Sequence, residues 1–321
     1  HLLVLVLVLH VGSHGELGTG TASDVLSAPV DISGNGDLAG RRIVAIDAAY
    51  YYSLAVDDEG RAYVWGKQSD GQLGTGGTDD VLVPTDISGS GDLAGRTVTG
   101  ISGGWTHTLA RDVNGRVYAW GKGTSGKLGT GTTDDVPTPV YIGDNGGLAG
   151  KRVIAVHATK DCSAALDEEG RVYVWGYGSD GTLGTGTSGD ATEPVDISAN
   201  GDLAGKRVVA ISGEKVSDSI YGNTNGCFVA LDSTGRLYTW GMGGTDYSSN
   251  YVLGTVSKED VALPKNISGN GDIAGKRIVA VSASMFDALA LDADGHVYMW
   301  GQAVSIDGNY NSSVPLRLPS L

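Results

Sequence analysis

Two cysteines in 321 residues, Cys162 and Cys227, are too few for a disulfide framework, and their spacing matches no zinc-ligand pattern. Both occupy the same position of the repeat described below, so they read as small apolar packing residues, with a bridge or reactive thiol as the alternative. No apolar run approaches a transmembrane length, and no membrane span is expected. The leucine-rich stretch 2–9 lacks a basic flank; it reads either as the remnant of a signal segment or as a degenerate repeat strand. Positive charge is scarce. With 22 Lys+Arg against 37 Asp+Glu the net charge is −15 and no basic run exists, which disfavours general nucleic-acid binding. Nucleophile–base constellations are missing too: three of the six histidines lie in the first 14 residues, and none is placed with a repeated Ser or Cys. Conventional catalysis and a bound cofactor are not expected.

Glycine, by contrast, is abundant, and a signature returns five times. Gly-(Arg/His)-x-Tyr-x-Trp-Gly stands at 60–66, 115–121, 170–176, 235–241 and 295–301, which places Trp65, Trp120, Trp175, Trp240 and Trp300 in equivalent positions. A period of 55 to 65 residues marks a copied supersecondary unit that cannot bury its apolar face alone. In the copy at 98–142, two β-branched runs flank a Gly-Gly pair, and an Asp-x-x-Gly turn leads into the Tyr-x-Trp strand. A glycine loop follows, then an outer strand marked by Pro139, since proline lacks a ladder donor and suits an edge. Four short strands per repeat with no helical periodicity predict one blade of an all-β propeller. The Gly-x-Leu-Gly-Thr-Gly loops at 71, 126 and 181 precede no helix and lack a Lys-Ser/Thr ending, so they read as close inter-blade passages rather than phosphate cradles.

The run Ile101-Ser-Gly-Gly-Trp-Thr-His-Thr-Leu-Ala110, then 115–121, Leu128-Gly-Thr-Gly131 and Pro139, resembles the regulator of chromosome condensation repeat. The resemblance covers essentially the whole chain and implies a β-propeller, normally of seven blades. Here 43–87, 98–142, 153–197, 208–267 and 278–318 make five full blades, and 4–32 makes a half blade. The whole chain, 1–321, therefore reads as a single propeller domain, either a fragment or an irregularly closed ring. The family's name-giving member promotes nucleotide exchange on a small GTPase through one propeller face, and its chromatin binding uses basic surface that this chain lacks.

Specific function is expected where copies differ, in the loop joining the first two strands of each blade. Tyr50 and Tyr51, Trp105, Lys160 and Asp161, and Met285 and Phe286 should line one rim, with Tyr221 in an insertion of the fourth copy. Aromatic and methionine side chains among charges match the composition of protein interfaces; in secreted β-lactamase inhibitors with a similar propeller, such loop aromatics bind the partner. The bland reading is that these rings pack into neighbouring blades. His107, where the family often has histidine, reads as a structural hydrogen-bonding residue. Asp31, Asn35 and Asp37 repeat the first half of a calcium loop, but the twelfth position is Arg42 instead of an acid, so the ligand set is incomplete. The sequence thus points to a non-enzymatic scaffold that binds a protein partner. A guanine-nucleotide exchange factor and a secreted inhibitor or adhesin are the alternatives, and a cytoplasmic or secreted location stays open.

Overall fold

The structure, a computed structural model, describes residues 13–22, 29–214, 226–243, 253–257, 259–284, 287–301 and 312–318. Five four-stranded antiparallel sheets form, each a simple meander. They are β1–β4 (Ile43–Ala48, Tyr52–Asp57, Ala62–Gly66, Val81–Asp86) and β5–β8 (Val98–Gly103, His107–Asp112, Val117–Gly121, Val136–Tyr141), followed by β9–β12 (Val153–Ala158, Cys162–Asp167, Val172–Gly176, Ala191–Asp196). Then come β13–β16 (Val208–Gly213, Cys227–Asp232, Leu237–Gly241, Val261–Asn266) and β17–β20 (Ile278–Ala283, Asp287–Asp292, Val297–Gly301, Ser312–Arg317). Among the described residues the only helices are single 3₁₀ turns. This is the all-β propeller blade that the repeat predicts. Residues 4–12 and 23–28 of the expected half blade lie outside the described residues.

Strand alternation explains the signature. In β7, Tyr118 and Trp120 pack on Leu54, Val56 and Val64 of the first blade. Their neighbours Val117 and Ala119 point the other way, onto Ala165, Tyr173 and Trp175 of the third. The third strands of the first four blades are therefore buried on both faces, while in β19 of the fifth Val297 is exposed; all five repeat tryptophans have no exposed surface. Large rings face one neighbour and small side chains receive the rings of the other, so adjacent blades interdigitate at core density.

The Asp-x-x-Gly turn and the signature tyrosine form one unit. Asp112 Oδ1 accepts the backbone N–H groups of Asn114 and Arg116 at 2.9 and 3.0 Å, and Oδ2 accepts the Tyr118 hydroxyl at 3.1 Å. Asp57, Asp167, Asp232 and Asp292 receive the corresponding tyrosines at 2.7 to 2.8 Å. Burial, followed by the Asp112 carboxylate, pushes the Tyr118 phenol up to about 12, so it stays a donor at any working pH. The glycine loops do pass closely between blades: at Gly74 (φ 74°) a Cβ would sit 2.7 Å from Trp120 Nε1.

A candidate partner-binding rim

Because each sheet is an antiparallel meander, the loop between its first and second strands and the loop between its third and fourth leave on the same face. The variable loops and the glycine loops therefore share a rim. Across three blades a chain of rings follows it. Tyr51 meets His14 edge-on at 5.3 Å and Tyr50 at 4.2 Å, and Tyr50 meets Trp105 at 4.6 Å and 89°. Lys160 Nζ lies 4.7 Å over the Trp105 ring, and Lys67 Nζ 5.7 Å over Tyr51. These distances fit edge-to-face and cation–π attraction. Tyr51 holds φ at 64°, a left-handed conformation uncommon for an aromatic residue. Tyr50, Tyr51 and Trp105 are half-buried; they pack on one another instead of entering the inter-blade cores.

Beside the rings lies an open cup of about 420 Å³ that also takes in Lys67, Asp70, Lys122, Lys127 and Asp161. Lys122 Nζ donates to Asp70 at 3.1 Å, and the Asp70 hydrogen bond and charge raise the lysine above its ordinary pKa. Lys127 reaches Asp161 at 2.9 Å although its own side chain is only 3% exposed. Asp161 is 30% exposed, and removing it would leave the Lys127 charge enclosed and uncompensated.

Behind the rim, His107 is fully buried with Nε2 2.8 Å from Ser163 Oγ, so one histidine does pair with a repeat-position serine, contrary to the sequence reading. The geometry does not make a nucleophile. Ser163 spends its proton on the Lys127 carbonyl at 2.7 Å, so His107 Nε2 must be the donor to the serine oxygen. Burial, then the nearby Lys127 charge, holds His107 well below the ordinary histidine pKa, and its Nδ1 finds no protein partner. It is a neutral strut between blades. Cys162 and Cys227 are both buried free thiols, pushed up in pKa first by burial, which fits the packing role over a bridge.

The structure brings Tyr50, Tyr51, Trp105, Lys160 and Asp161 together, while Tyr221, Met285 and Phe286 lie outside the described residues. The glycine-loop lysines Lys67, Lys122 and Lys127 were missed by the sequence reading. Their signal was present in Lys127, which stands where the other copies carry Glu16, Gln72 and Thr182. The calcium pattern does not converge. Asp31 accepts the Ser33 N–H, Asn35 donates to the Gly18 carbonyl, and Asp37 reaches the next blade to accept the Asp86 N–H at 2.8 Å. Equivalent bonds recur from Asp92 to Tyr141, Asp202 to Asn266 and Asp272 to Arg317. The motif staples blades together.

The regulator of chromosome condensation (RCC1) repeat profile matches residues 59–111, 114–166 and 169–213, and a second profile of the same repeat matches 98–127. The E3 ubiquitin-protein ligase HERC2 of Mus musculus is 33% identical over 300 residues, which is 91% of this chain but 6% of that protein. Among solved structures, human WBSCR16 aligns with a TM-score of 0.74 at 22% identity, covering 93% of this chain and 70% of that one. Prp20p from Saccharomyces cerevisiae, studied for its binding to Gsp1p and histones, aligns at 0.72 and 19% identity over 96% and 71%. At these identities the structures speak for the fold. The chain spans about half or less of the length of the curated relatives it matches.

Proposed function

Because the chain belongs to the regulator of chromosome condensation repeat family, we propose that it is a non-enzymatic interaction propeller that grips a protein partner through the rim of Tyr50, Tyr51, Trp105, Lys160 and Asp161. The observation that carries this reading is the continuous chain of half-buried rings, ending on the largely buried Lys160, that runs across three blades at the positions where the copies differ. Core rings are repeated and fully buried; these are neither. Half-buried aromatics on stiff backbone offer a large apolar contact at low entropic cost, and flanking Lys–Asp pairs set orientation. A partner that presents an apolar anchor among carboxylates fits the cup, since Lys67 lies half-buried over the Tyr51 ring and makes no ion pair among the described residues, which leaves its ammonium for a second acceptor.

Site-specific photo-crosslinking tests this. A benzophenone side chain in place of Tyr50 should trap a discrete protein adduct from the native source, whereas the same group at Glu59, on the opposite face, should not. Equal adducts from both positions would sink the reading. The second reading, nucleotide exchange on a small GTPase, is the activity that the family resemblance implies, and Prp20p's binding to Gsp1p favours keeping it. Catalytic acceleration of labelled GDP release from one member of a GTPase panel would replace the scaffold reading.

A further inference from the structure

On the opposite face, the hairpin turn between the second and third strands of a blade meets the two residues that precede its first strand, a basic pair in every blade but the second, where Arg96 is followed by Thr97. In the first blade both cations of the pair are neutralised, and in the third Arg152 is. Arg42 pairs with Asp58 and Arg152 with Glu168, both at 3.3 Å. Arg41 and Arg61 share Glu59 at 3.1 and 3.2 Å, and Arg171 pairs with Glu169 at 2.9 Å. Asp86, at the end of β4, adds a further carboxylate 4.0 Å from Arg61. In the second blade Arg116 shares its depression with Asp144.

The fourth and fifth blades keep the cations and lose the acids. Glu59 and Glu169 correspond to Thr234, Asp86 and Asp196 to Asn266, Asp144 to Gly269, and Asp58 and Glu168 to Ala293. Arg236, Lys276 and Arg277 remain, exposed, and line one open depression with Thr234, Asn266 and Ser268. None of the three makes an ion pair among the described residues. The one acid retained at these positions, Asp294, turns back toward Asp292 and His296, with its carboxylate within 4.8 Å of theirs. Asn266 Oδ1 is held by the Ser268 N–H at 2.8 Å, which leaves its amide N–H₂ as a donor, while the Asp202 carboxylate is occupied in accepting the Asn266 backbone N–H at 2.8 Å. Gly269 and Gly275 bring no side chain, and a Cβ on either would meet nothing within 4 Å.

Neutral residues at three positions that are acidic in the first and third blades, around three retained cations on a chain of net charge −15, favour an anion. We propose that Arg236, Lys276 and Arg277 bind the phosphoryl group of a phosphorylated peptide. Two guanidinium groups, an ammonium and an amide suit a compact dianion with three acceptor oxygens. The single depression and the acidic surroundings disfavour an extended polyanion, whose further phosphates would meet carboxylates.

The test is fluorescence anisotropy with a labelled, otherwise neutral peptide carrying one phosphoserine, alongside its unphosphorylated twin. Only the phosphorylated peptide should bind, and inorganic phosphate should compete with it. Arg236→Gln with Arg277→Gln should weaken binding by at least about tenfold, the value of one lost charge-assisted hydrogen bond. Thr234→Glu with Asn266→Asp should weaken it comparably while leaving the melting temperature unchanged, because sister blades already fold with acids there. Equal binding of the two peptides, or indifference to both double variants, overturns the proposal. So does a single-stranded DNA oligonucleotide that binds the same residues more tightly than the phosphopeptide.

Discussion

Trp120 and Trp105 lie fifteen residues apart in one repeat and do opposite work. Trp120 has no exposed surface, donates to the Gln72 carbonyl of the preceding blade at 2.9 Å, and sits among the first blade's Leu54, Val56 and Val64. Truncating it to alanine should cost about 3 to 5 kcal/mol, the range for a buried aromatic, read as a lowered denaturant midpoint; a loss under about 1 kcal/mol would contradict inter-blade packing. His107 yields a pH signature. Its folded pKa is depressed, so below about 6.5 the unfolded chain binds a proton that the folded chain refuses. Stability should therefore be flat above that pH and fall as pH drops through it toward the depressed value. His107→Gln, which keeps a donor for Ser163, should flatten that slope. An unchanged slope in equilibrium unfolding between pH 7 and 5 would place the titration elsewhere.

At the scale of elements, the hairpin cap and the inter-blade staple differ in what they hold. Asp112 organises a turn and a buried tyrosine through three hydrogen bonds, whereas Asp92 accepts one exposed backbone N–H from Tyr141. Asp112→Ala should destabilise by about 2 to 3 kcal/mol and Asp92→Ala by about 1 kcal/mol or less. Chemical denaturation that ranked them the other way would mean the staple, and not the turn, holds the blade. The four-strand blade was legible from the sequence because periodicity, Asp-x-x-Gly turns and the edge proline all act locally. The role of Asp37 and its equivalents was not legible. An acid that reaches 49 residues ahead to the Asp86 N–H looks, along the chain, like half a calcium loop. For the same reason the His107–Ser163 contact, spanning 56 residues, could not be read from spacing within one repeat.

For the whole molecule, repetition supplies its own control. Where the copies share aromatic and apolar residues, these are buried between blades; where they disagree, the residues gather on two faces. Tyr50, Tyr51, Trp105, Lys160 and Asp161 could be placed on one rim from the loop order alone. The lysines of the glycine loops could not, because their convergence depends on how adjacent blades stagger in space. The acidic chain carries its exceptions locally, four lysines around the cup and three cations on the far face, so salt should weaken the polar contacts of both faces while leaving the ring contacts in place. The rim is tested most directly by affinity capture from the native source with the unmodified chain and with Tyr50→Ala combined with Trp105→Ala, after both are shown to melt at the same temperature. Loss of a discrete protein partner from the variant alone is the predicted result. Recovery of the same partners in equal amounts by both chains would contradict it.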